Sequence, residues 1–401
     1  MSALEGIRVV DLTHVMAGPT CTMMLADLGA DVVKVERIPG GDDSRKPSPF
    51  AIGDQQAPFL VMNRNKRGLA LDLKREEGKA VLRRLLERAD VLVENYRHDT
   101  LARLGFGYAQ VKETYPRLIY CSISGFGRTG PYAERGGFDL VAQAMSGIMS
   151  VTGTRAGDPP VKCGVPLTDI TAGLLAAIGI LAALQHRGRT GRGQHVDTSL
   201  LEAGILHTCW HSAIAFATGS APGPMGSAHP LAAPYQAFEA ADGWLVVGGA
   251  TEANWRRLCE VLEAPALAED PRFRTNKDRL AHLATLVEAL APLFRQRPVA
   301  AWLARLDAAG VPAGPVLDIR RMHEDPQVRA RDMVVALPHA TLGTHPALGL
   351  PVKLSEAAAG PRRGAPLFGE HSRAVLAEHG YTPTEIDALI AAGAVQAPGG
   401  A

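Results

Sequence analysis

Short β-branched runs alternate with segments of helical period through the first third of the sequence. This alternation is typical of parallel strands joined by helical crossovers, and it predicts an α/β fold with a parallel sheet flanked by helices. The predicted strands are residues 7–12, 31–36, 69–73, 90–96 and 118–123, and the predicted helices are residues 19–28, 76–89, 138–149 and 169–186.

The length of the chain predicts more than one domain. A single hydrophobic core usually stops growing at roughly 250–300 residues, and this chain has 401. A glycine- and proline-rich stretch at residues 219–227 is expected to be a boundary loop. We therefore predict a large domain at 1–218, a small mixed domain at 219–325, and a segment 326–401 that returns to the large domain. The closing residues 396–401 are expected to be disordered.

Charge and cysteine content narrow the class of protein. Lys plus Arg number 42 against 41 Asp plus Glu, so no overall charge draws the chain to nucleic acid or to a membrane surface. The five cysteines form no CxxC pair and no Cys–His cluster, which predicts a reducing compartment and no metal site. Residues 1–10 lack the apolar core of a secretory signal, so we expect a cytoplasmic protein. The apolar run 172–184 is shorter than the ~18 residues of a membrane span, and is predicted to be a helix buried on all sides.

Common cofactor and nucleophile motifs are absent or incomplete. A GxGxxG string at residues 125–130 runs into Pro131 rather than a helix, and no acidic residue follows at the spacing that dinucleotide binding needs. The sequence contains no phosphate-binding GxxxxGK[ST] loop and no GxSxG elbow. We therefore expect no permanently bound cofactor.

Basic and polar residues follow several of the predicted strands. They are Lys34, Arg37, Lys74, Asn95, Arg97, His98 and Arg103. Ligands of open α/β sheets bind at the carboxyl ends of the strands, so this set could hold a polyanion. Each of the cations, taken singly, is also compatible with an ordinary solvated surface charge.

Asp169 precedes the long apolar helix and has two interpretations. As a helix N-cap, its carboxylate would accept backbone N–H bonds worth ~1 kcal/mol. The same position would keep the carboxylate ionised through the positive helix end, as a nucleophilic carboxylate requires. The residues alone leave both open.

An ordered set of motifs along nearly the whole chain resembles the class III CoA-transferases, also called the formyl-CoA transferase or CaiB/BaiF family. Besides Pro166 and Asp169, the motifs are LEGIRVVDL (4–12), AGP (17–19), LGADVVKVE (28–36), NRNK (63–66), VENY (93–96), SGFGRTGP (124–131), TGRG (190–193), PYQAF (234–238) and GVPAGP (310–315).

The resemblance implies a fold and a set of site residues. It implies a Rossmann-like large domain built from both chain ends, a smaller α+β domain, and an interlocked homodimer. Asp169 matches the catalytic aspartate, and Gly248, Gly249 and Ala250 match a glycine-rich loop that covers the active site. The positions matching contacts to coenzyme A are Val15, Arg37, Leu71, Lys74, Asn95, Tyr96, Arg103, Leu104 and, more weakly, Arg135.

The resemblance also implies chemistry. Coenzyme A would be a co-substrate, moved from an acyl-CoA to a small carboxylic acid through an aspartyl anhydride and an aspartyl-CoA thioester on Asp169. Formyl-CoA transferases have glutamine where this chain has Met16, so formate and oxalate are not expected as substrates.

Residues 226–238 and the glycine loop are closer to members that use succinyl-CoA and dicarboxylic acids. For the distal carboxylate of such an acceptor the candidate donors are His14, His229 and Tyr235, which are equally compatible with loop or packing roles.

Two alternatives remain. Racemases of 2-methylacyl-CoA esters share this fold, and their sequences resemble this chain but read Gly-His-Asp where it has Gly137, Phe138 and Asp139. The missing histidine disfavours racemisation. The other is a CoA-ester-binding protein without turnover, which the presence of Asp169 disfavours.

Overall fold

The computed structural model describes residues 1–398. Its strands are β1 (Arg8–Asp11), β2 (Asp31–Arg37), β3 (Ala51–Ile52), β4 (Gln55–Gln56), β5 (Arg67–Leu71), β6 (Val91–Glu94), β7 (Ile119–Ser124), β8 (His195–Ser199), β9 (Tyr235–Ala240), β10 (Gly243–Gly248), β11 (Ala313–Pro315), β12 (Val334–His339), β13 (Gly343–Leu348) and β14 (Val395–Gln396).

The helices of the first half are α1 (Ala17–Asp27), α2 (Ala57–Met62), α3 (Glu76–Leu86), α4 (Thr100–Arg103), α5 (Tyr108–Val111), α6 (Asp139–Met145), α7 (Ile148–Val151), α8 (Leu167–Thr190) and α9 (Leu200–Leu206). Those of the second half are α10 (Cys209–Thr218), α11 (Glu252–Val261), α12 (Ala266–Glu269), α13 (Asn276–Ala281), α14 (Leu283–Phe294), α15 (Val299–Ala308), α16 (Ile319–Glu324), α17 (Pro326–Ala330), α18 (Ser372–Glu378) and α19 (Pro383–Ala391).

The chain divides into two compact units. Unit 1 contains residues 1–146, 163–207 and the chain from Pro326 onward, and unit 2 contains residues 147–162 and 208–325. The sequence-based division at residue 219 differs because the glycine- and proline-rich stretch follows α10, which already belongs to unit 2. The compositional break is therefore a loop inside unit 2.

Unit 1 is built on a seven-stranded sheet in the order β14-β5-β2-β1-β6-β7-β8. All neighbours are parallel except β14, which pairs antiparallel with β5. The mostly parallel sheet predicted from the alternation is thus confirmed. The prediction that disorder begins at residue 396 is wrong for Gln396, because this residue pairs with Ala70 in the sheet. Residues 399–401 of that prediction lie outside the described part of the chain.

The strand order reverses at β1. From β1 the chain passes outward to β2 and β5, then returns to β6 on the other side of β1. Diverging crossovers open a crevice at the carboxyl ends of the two strands, which is where open α/β sheets bind their ligands. The loops after β1 and β6 are therefore the expected ligand edge.

Both faces of the sheet are covered by helices. Val9 of β1 packs into a core cluster with α1 and α8, whereas Val10 packs into a second cluster with α3, α18 and α19. Successive residues of a strand point to opposite faces. Burial on both faces explains why these strands appear in the sequence as continuous apolar runs.

Helix α8 is the one helix among residues 1–398 that is long and apolar enough to cross a membrane by length and composition. It packs against α1, α6, α9, β7 and β8. The prediction that it is buried on all sides is wrong, because Leu174, Ile178 and Leu181 are 37%, 62% and 36% exposed. These residues recur at helical spacing, so they form one apolar stripe facing away from the core.

Unit 2 has its own sheet and core. Strands β9, β10 and β11 form an antiparallel sheet in the order β11-β10-β9. Its core contains Trp255 of α11, Phe294 of α14 and Trp302 of α15 packed on Phe238 and Leu245.

Candidate active site

The loop after β1 is fixed to the loop after β6 at the strand reversal. The backbone N–H of His14 donates to Asn95 Oδ1 at 2.8 Å, and Asn95 Nδ2 donates to the His14 carbonyl at 2.8 Å. The ring of His14 reaches Tyr96 through Nε2 and Oη, 3.1 Å apart. The structure therefore brings together three predicted site residues at the predicted edge.

Val15 adopts a backbone conformation that β-branched residues rarely take, with φ at 64°. Its N–H donates to both carboxylate oxygens of Asp42, at 3.1 and 3.3 Å. Its side chain is 45% exposed. Such backbone strain persists only where the surroundings enforce it, and it is common at binding sites. Asp42, which is not among the residues predicted from the sequence, holds this conformation in place.

A buried charge network lies beneath this loop. Lys34 Nζ contacts Asp42 at 2.9 Å and donates to the Thr13 carbonyl at 2.8 Å, and neither ionic side chain is exposed. Lys34 therefore cannot be a surface contact for a phosphate, which corrects the sequence-based interpretation. Lys66 pairs with Asp11 at 3.1 Å. Burial alone would raise the pKa of Asp11, but the ammonium groups of Lys66 and Lys34 lower this pKa to about 2.

The remaining cations of the edge differ in availability. Arg37 is ion-paired with Asp43. Lys74 and Arg103 are exposed, and within residues 1–398 neither makes an ion pair. Arg135 lies over the ring of Tyr132, 4.6 Å from its centroid, in a different loop.

The apolar members of the predicted contact set are less accessible. Leu71 is 0% exposed and lies in the core cluster with α3, while Leu104 packs against the same cluster. Leu71 can therefore reach a ligand only through its backbone, which is in register with Arg37 at the strand end. Met16 is the residue before α1.

Asp169 is the third residue of α8, not its N-cap. The N-cap position is occupied by Pro166, which offers no side-chain hydrogen bond. The cap comes instead from Asp139 of α6, whose Oδ1 accepts from the backbone N–H of Thr168 at 3.0 Å and from its Oγ1 at 2.8 Å. The N-cap interpretation of Asp169 is therefore wrong, and its carboxylate is left available.

Burial, with the negative charge of Asp139, raises the pKa of Asp169 to about 6. These effects outweigh the positive helix end, which was expected to favour the ionised form. The carboxylate is still mainly ionised above neutral pH, and it is more basic than an ordinary aspartate.

Helix α8 packs directly against the start of α1. Gly173, one turn after Asp169, lies against the carbonyl oxygen of Ala17 at the start of α1. Because α1 begins immediately after Val15 and Met16, this contact connects the ligand edge to the segment that carries Asp169.

In unit 2, His229 lies between two aromatic side chains. Its ring centroid is 5.3 Å from that of Tyr235 and 6.3 Å from that of Trp210. Nδ1 accepts the N–H of Leu231 at 3.1 Å, so Nε2 of the neutral ring carries the proton. Trp210 was not identified from the sequence, because nothing in its local pattern distinguishes it.

The glycine loop is also in unit 2. The N–H groups of Gly248 and Gly249 donate to the carbonyls of Pro312 and Pro234, each at 2.8 Å. Arg279 Nη2 donates to the Ala250 carbonyl at 2.7 Å. The loop amides of both glycines are thus already engaged.

Metal ligation has no support in the described residues. Among residues 1–398, no group of three or more His, Cys, Asp or Glu side chains is arranged to hold a metal ion.

Comparisons with known proteins give the family of this chain. The sequence model of CoA-transferase family III matches residues 4–372. The chain is 37% identical over 397 residues to the succinyl-CoA:glutarate CoA-transferase of Mus musculus, covering 99% of this chain and 91% of the mouse protein. It is 40% identical over 381 residues to the succinate–glutarate CoA-transferase of Agrobacterium fabrum, covering 94% of this chain and 95% of that protein.

The fold is similar to the crystal structure of a CaiB/BaiF family protein from Brucella suis, with a TM-score of 0.84, 39% identity, and coverage of 94% of this chain and 99% of that one. The chain belongs to CoA-transferase family III. It is a CoA-transferase, as the sequence resemblance predicted.

Proposed function

We propose that this enzyme moves coenzyme A from succinyl-CoA to a dicarboxylic acid, and that Asp169 carries the transferred group. The observation that supports the role of Asp169 most directly is the raised pKa of its carboxylate. Burial and the charge of Asp139 raise this pKa to about 6, and no hydrogen-bond donor among residues 1–398 lowers it. A carboxylate in this state is ionised and relatively basic, as a nucleophile must be.

The ligand edge at the strand reversal would hold the nucleotide end of the CoA ester. Lys74 and Arg103 are exposed cations suited to phosphate groups. Val15, whose backbone is held by Asp42, offers an exposed apolar contact after β1. The mobile part of the ligand would then extend past the start of α1 toward Asp169.

The reaction would proceed in balanced exchanges of carboxylate and thiolate. An Asp169 oxygen attacks the thioester carbonyl, the C–S bond breaks, and a mixed anhydride and free CoA thiolate result. The thiolate attacks the aspartyl carbonyl, releasing the first acid and leaving an aspartyl-CoA thioester. An acceptor carboxylate reverses both exchanges and departs as its CoA ester.

Each tetrahedral intermediate needs a donor for its oxyanion. In the first turn of α8, the amides of Leu167, Thr168 and Ile170 all have acceptors. Within residues 1–398 the backbone N–H of Asp169 has none, so it is the donor we assign to this role. A similar role for Gly248 and Gly249 would require their amides to leave Pro312 and Pro234.

The glutarate activity named for the two relatives supports a dicarboxylate acceptor. Of the candidate donors for its distal carboxylate, His14 is the weakest. Its Nδ1 is buried without a partner among residues 1–398, and its Nε2 is engaged with Tyr96. In unit 2, the neutral ring of His229 would donate through Nε2, and Tyr235 is 53% exposed, so both side chains could donate to a carboxylate.

We also propose that the chain forms the interlocked homodimer of its family. The apolar stripe of Leu174, Ile178 and Leu181 on α8 supports a subunit contact, because single exposed apolar residues are common but aligned ones favour association. Light scattering at micromolar concentration should give a dimer that dilution does not dissociate. A monomer would refute this part of the proposal.

Racemisation is disfavoured by the geometry around Asp139. Phe138 stands where a proton-transferring histidine would be needed and is 73% exposed. Both oxygens of Asp139 are engaged, with Thr168 and Gln143. No His–Asp pair exists at this position.

The transfer proposal is tested by assaying a panel of acids with succinyl-CoA and identifying the CoA products by mass spectrometry. We expect products from glutarate or related dicarboxylates with the wild type and none with Asp169→Asn. Products confined to monocarboxylic acids would refute the acceptor class, and turnover by Asp169→Asn would refute the role of that residue.

A further inference from the structure

The chain leaves unit 1 after Ser146 and returns to it at Cys163, shortly before Asp169. The candidate nucleophile therefore follows directly on a connection between two units. Two side chains of α6, Asp139 and Gln143, hold the returning segment from inside unit 1.

Gln143 is 0% exposed, and its side-chain amide both accepts and donates hydrogen bonds. Its Oε1 accepts from the N–H of Cys163 at 2.8 Å. Its Nε2 donates to Asp139 Oδ2 at 2.7 Å and to the Val165 carbonyl at 3.4 Å. Since one donor and two acceptors surround its amide, only this orientation satisfies them all.

Asp139 completes the arrangement with its other oxygen, which accepts from both the N–H and the hydroxyl of Thr168. We call Asp139 and Gln143 together the α6 clamp. Helix α8 has no side-chain cap of its own, so the clamp supplies the cap from a neighbouring helix. A side-chain cap of this kind stabilises the first turn of a helix, because it satisfies backbone N–H groups that have no partner within the helix.

We propose that Asp139 is a positioning residue for Asp169: through the α6 clamp it fixes the first turn of α8, and through its charge it makes the adjacent carboxylate a stronger nucleophile. The α6 clamp holds the first turn of α8, and with it Asp169, against the rest of unit 1, which carries the ligand edge. The position of Asp169 then does not depend on the conformation of the connecting residues. A displacement of even 1 Å at a reacting group can cost about 100-fold in rate.

The charge of Asp139 has no competitor near Asp169. The other titratable side chains on elements packed against α8 are Cys21 and Asp27 of α1, Tyr120 and Cys121 of β7, His195 and Asp197 of β8, Cys163 of the returning segment, Glu202 of α9, and His207 after α9. Among the described residues, Asp139 is the only charge that raises the pKa of Asp169, in addition to burial. The effect is the one expected of two carboxylates sharing a half-buried site.

For its effect on transfer, the inference rests on the proposed role of Asp169. Three variants separate its parts. Asp139→Asn removes the charge but keeps an oxygen for Thr168. Gln143→Leu breaks the clamp at Cys163 and keeps the charge. Thr382→Ala is the matched control, because it removes the N-cap of α19, a unit 1 helix that has no place in the proposed site.

The first readout is the pH dependence of kcat/KM for succinyl-CoA. Asp139→Asn should move the acid limb to lower pH by about 0.5–1 unit, the order expected of one like charge at a half-buried site. It should also lower kcat on the alkaline plateau several-fold, since a less basic carboxylate is a weaker nucleophile. Gln143→Leu should lower kcat without moving the limb downward, and Thr382→Ala should change neither. An acid limb that stays in place in Asp139→Asn would overturn the inference.

The second readout does not need activity. Thermal melting of Asp139→Asn, Asp169→Asn and the double variant forms a cycle that isolates the coupling between the two carboxylates. At pH 8 we expect unfavourable coupling, so the shifts are non-additive, and at pH 4.5 the coupling should shrink because Asp169 is protonated. Additive shifts at pH 8 would overturn the inference. Turnover by Asp169→Asn would instead refute the proposed function, so the two failures are distinguishable.

Discussion

Gly173 of α8 touches Ala17 of α1 so closely that a β-carbon built on Gly173 would lie 2.5 Å from the Ala17 carbonyl oxygen. Real β-carbons do not approach backbone oxygen at that distance. A glycine is therefore required where the helix carrying Asp169 crosses the start of α1, the helix that follows the loop of Val15.

Replacing this glycine should separate the two helices. Gly173→Ala is expected to destabilise unit 1 by about 1–3 kcal/mol, the usual cost of overpacking a close contact, and to lower kcat/KM. The matched control is Gly188→Ala on the same helix, where a β-carbon would meet nothing within 4 Å. That variant should be neutral or slightly stabilising, because alanine is the better helix former. Equal melting temperatures for Gly173→Ala and the wild type would refute the close-contact explanation.

The strained loop gives a second prediction. Val15→Gly removes the unfavourable left-handed conformation of a β-branched residue, so the melting temperature should stay level or rise. The apolar contact and the fixed shape of the loop are lost, so KM for CoA esters should increase several-fold with kcat little changed. Steady-state kinetics and a thermal melt on the same sample measure both effects. A clear loss of thermal stability would show that the backbone of Val15 is not strained.

Lys74 and Arg103 should act on CoA binding rather than on chemistry. Lys74→Ala and Arg103→Ala are each expected to raise KM for succinyl-CoA about tenfold, as the loss of one charge-assisted contact implies. The kcat value should change little, and the KM effect should weaken at high salt. Lys353→Ala, another exposed lysine of unit 1, is the control and should leave KM unaltered. A fall in kcat with unchanged KM would place these residues in the chemistry instead.

Protonation of Asp169 should be visible in stability. Its folded pKa of about 6 lies above the ordinary value of 3.8. The folded state therefore binds this proton more tightly than the unfolded state, so the stabilisation is fully present below pH 3.8 and is lost as pH rises through about 6. Asp169→Asn should melt higher than the wild type at pH 8, by a few degrees, and the difference should narrow at pH 4.5. A variant that melts lower at pH 8 would mean that the ionised carboxylate is stabilised by the fold.

Local patterns in the sequence predicted much of unit 1. Helix α3, expected at residues 76–89, runs from Glu76 to Leu86, and β2, expected at 31–36, runs from Asp31 to Arg37. These succeed because strand and helix periods are local properties. Lys34 was misjudged because a period-two strand does not reveal that a cation lies beneath a loop.

The relation between Asp139 and Asp169 could not be predicted. The two residues are distant in the chain, and nothing local indicates which carboxylate caps α8. The sequence is compatible with Asp169 itself as the cap, whereas tertiary packing gives that role to Asp139. The cytoplasmic location and the homodimer stay predictions.

The central claim is that Asp169 becomes covalently bonded during transfer. The enzyme should be mixed with succinyl-CoA without acceptor, quenched, digested and examined by mass spectrometry for CoA bound as a thioester. We predict the adduct on the peptide that contains Asp169, its loss after treatment with hydroxylamine or with an acceptor acid, and its absence in Asp169→Asn. An adduct on another residue, or full turnover with no adduct at any time, would contradict the account.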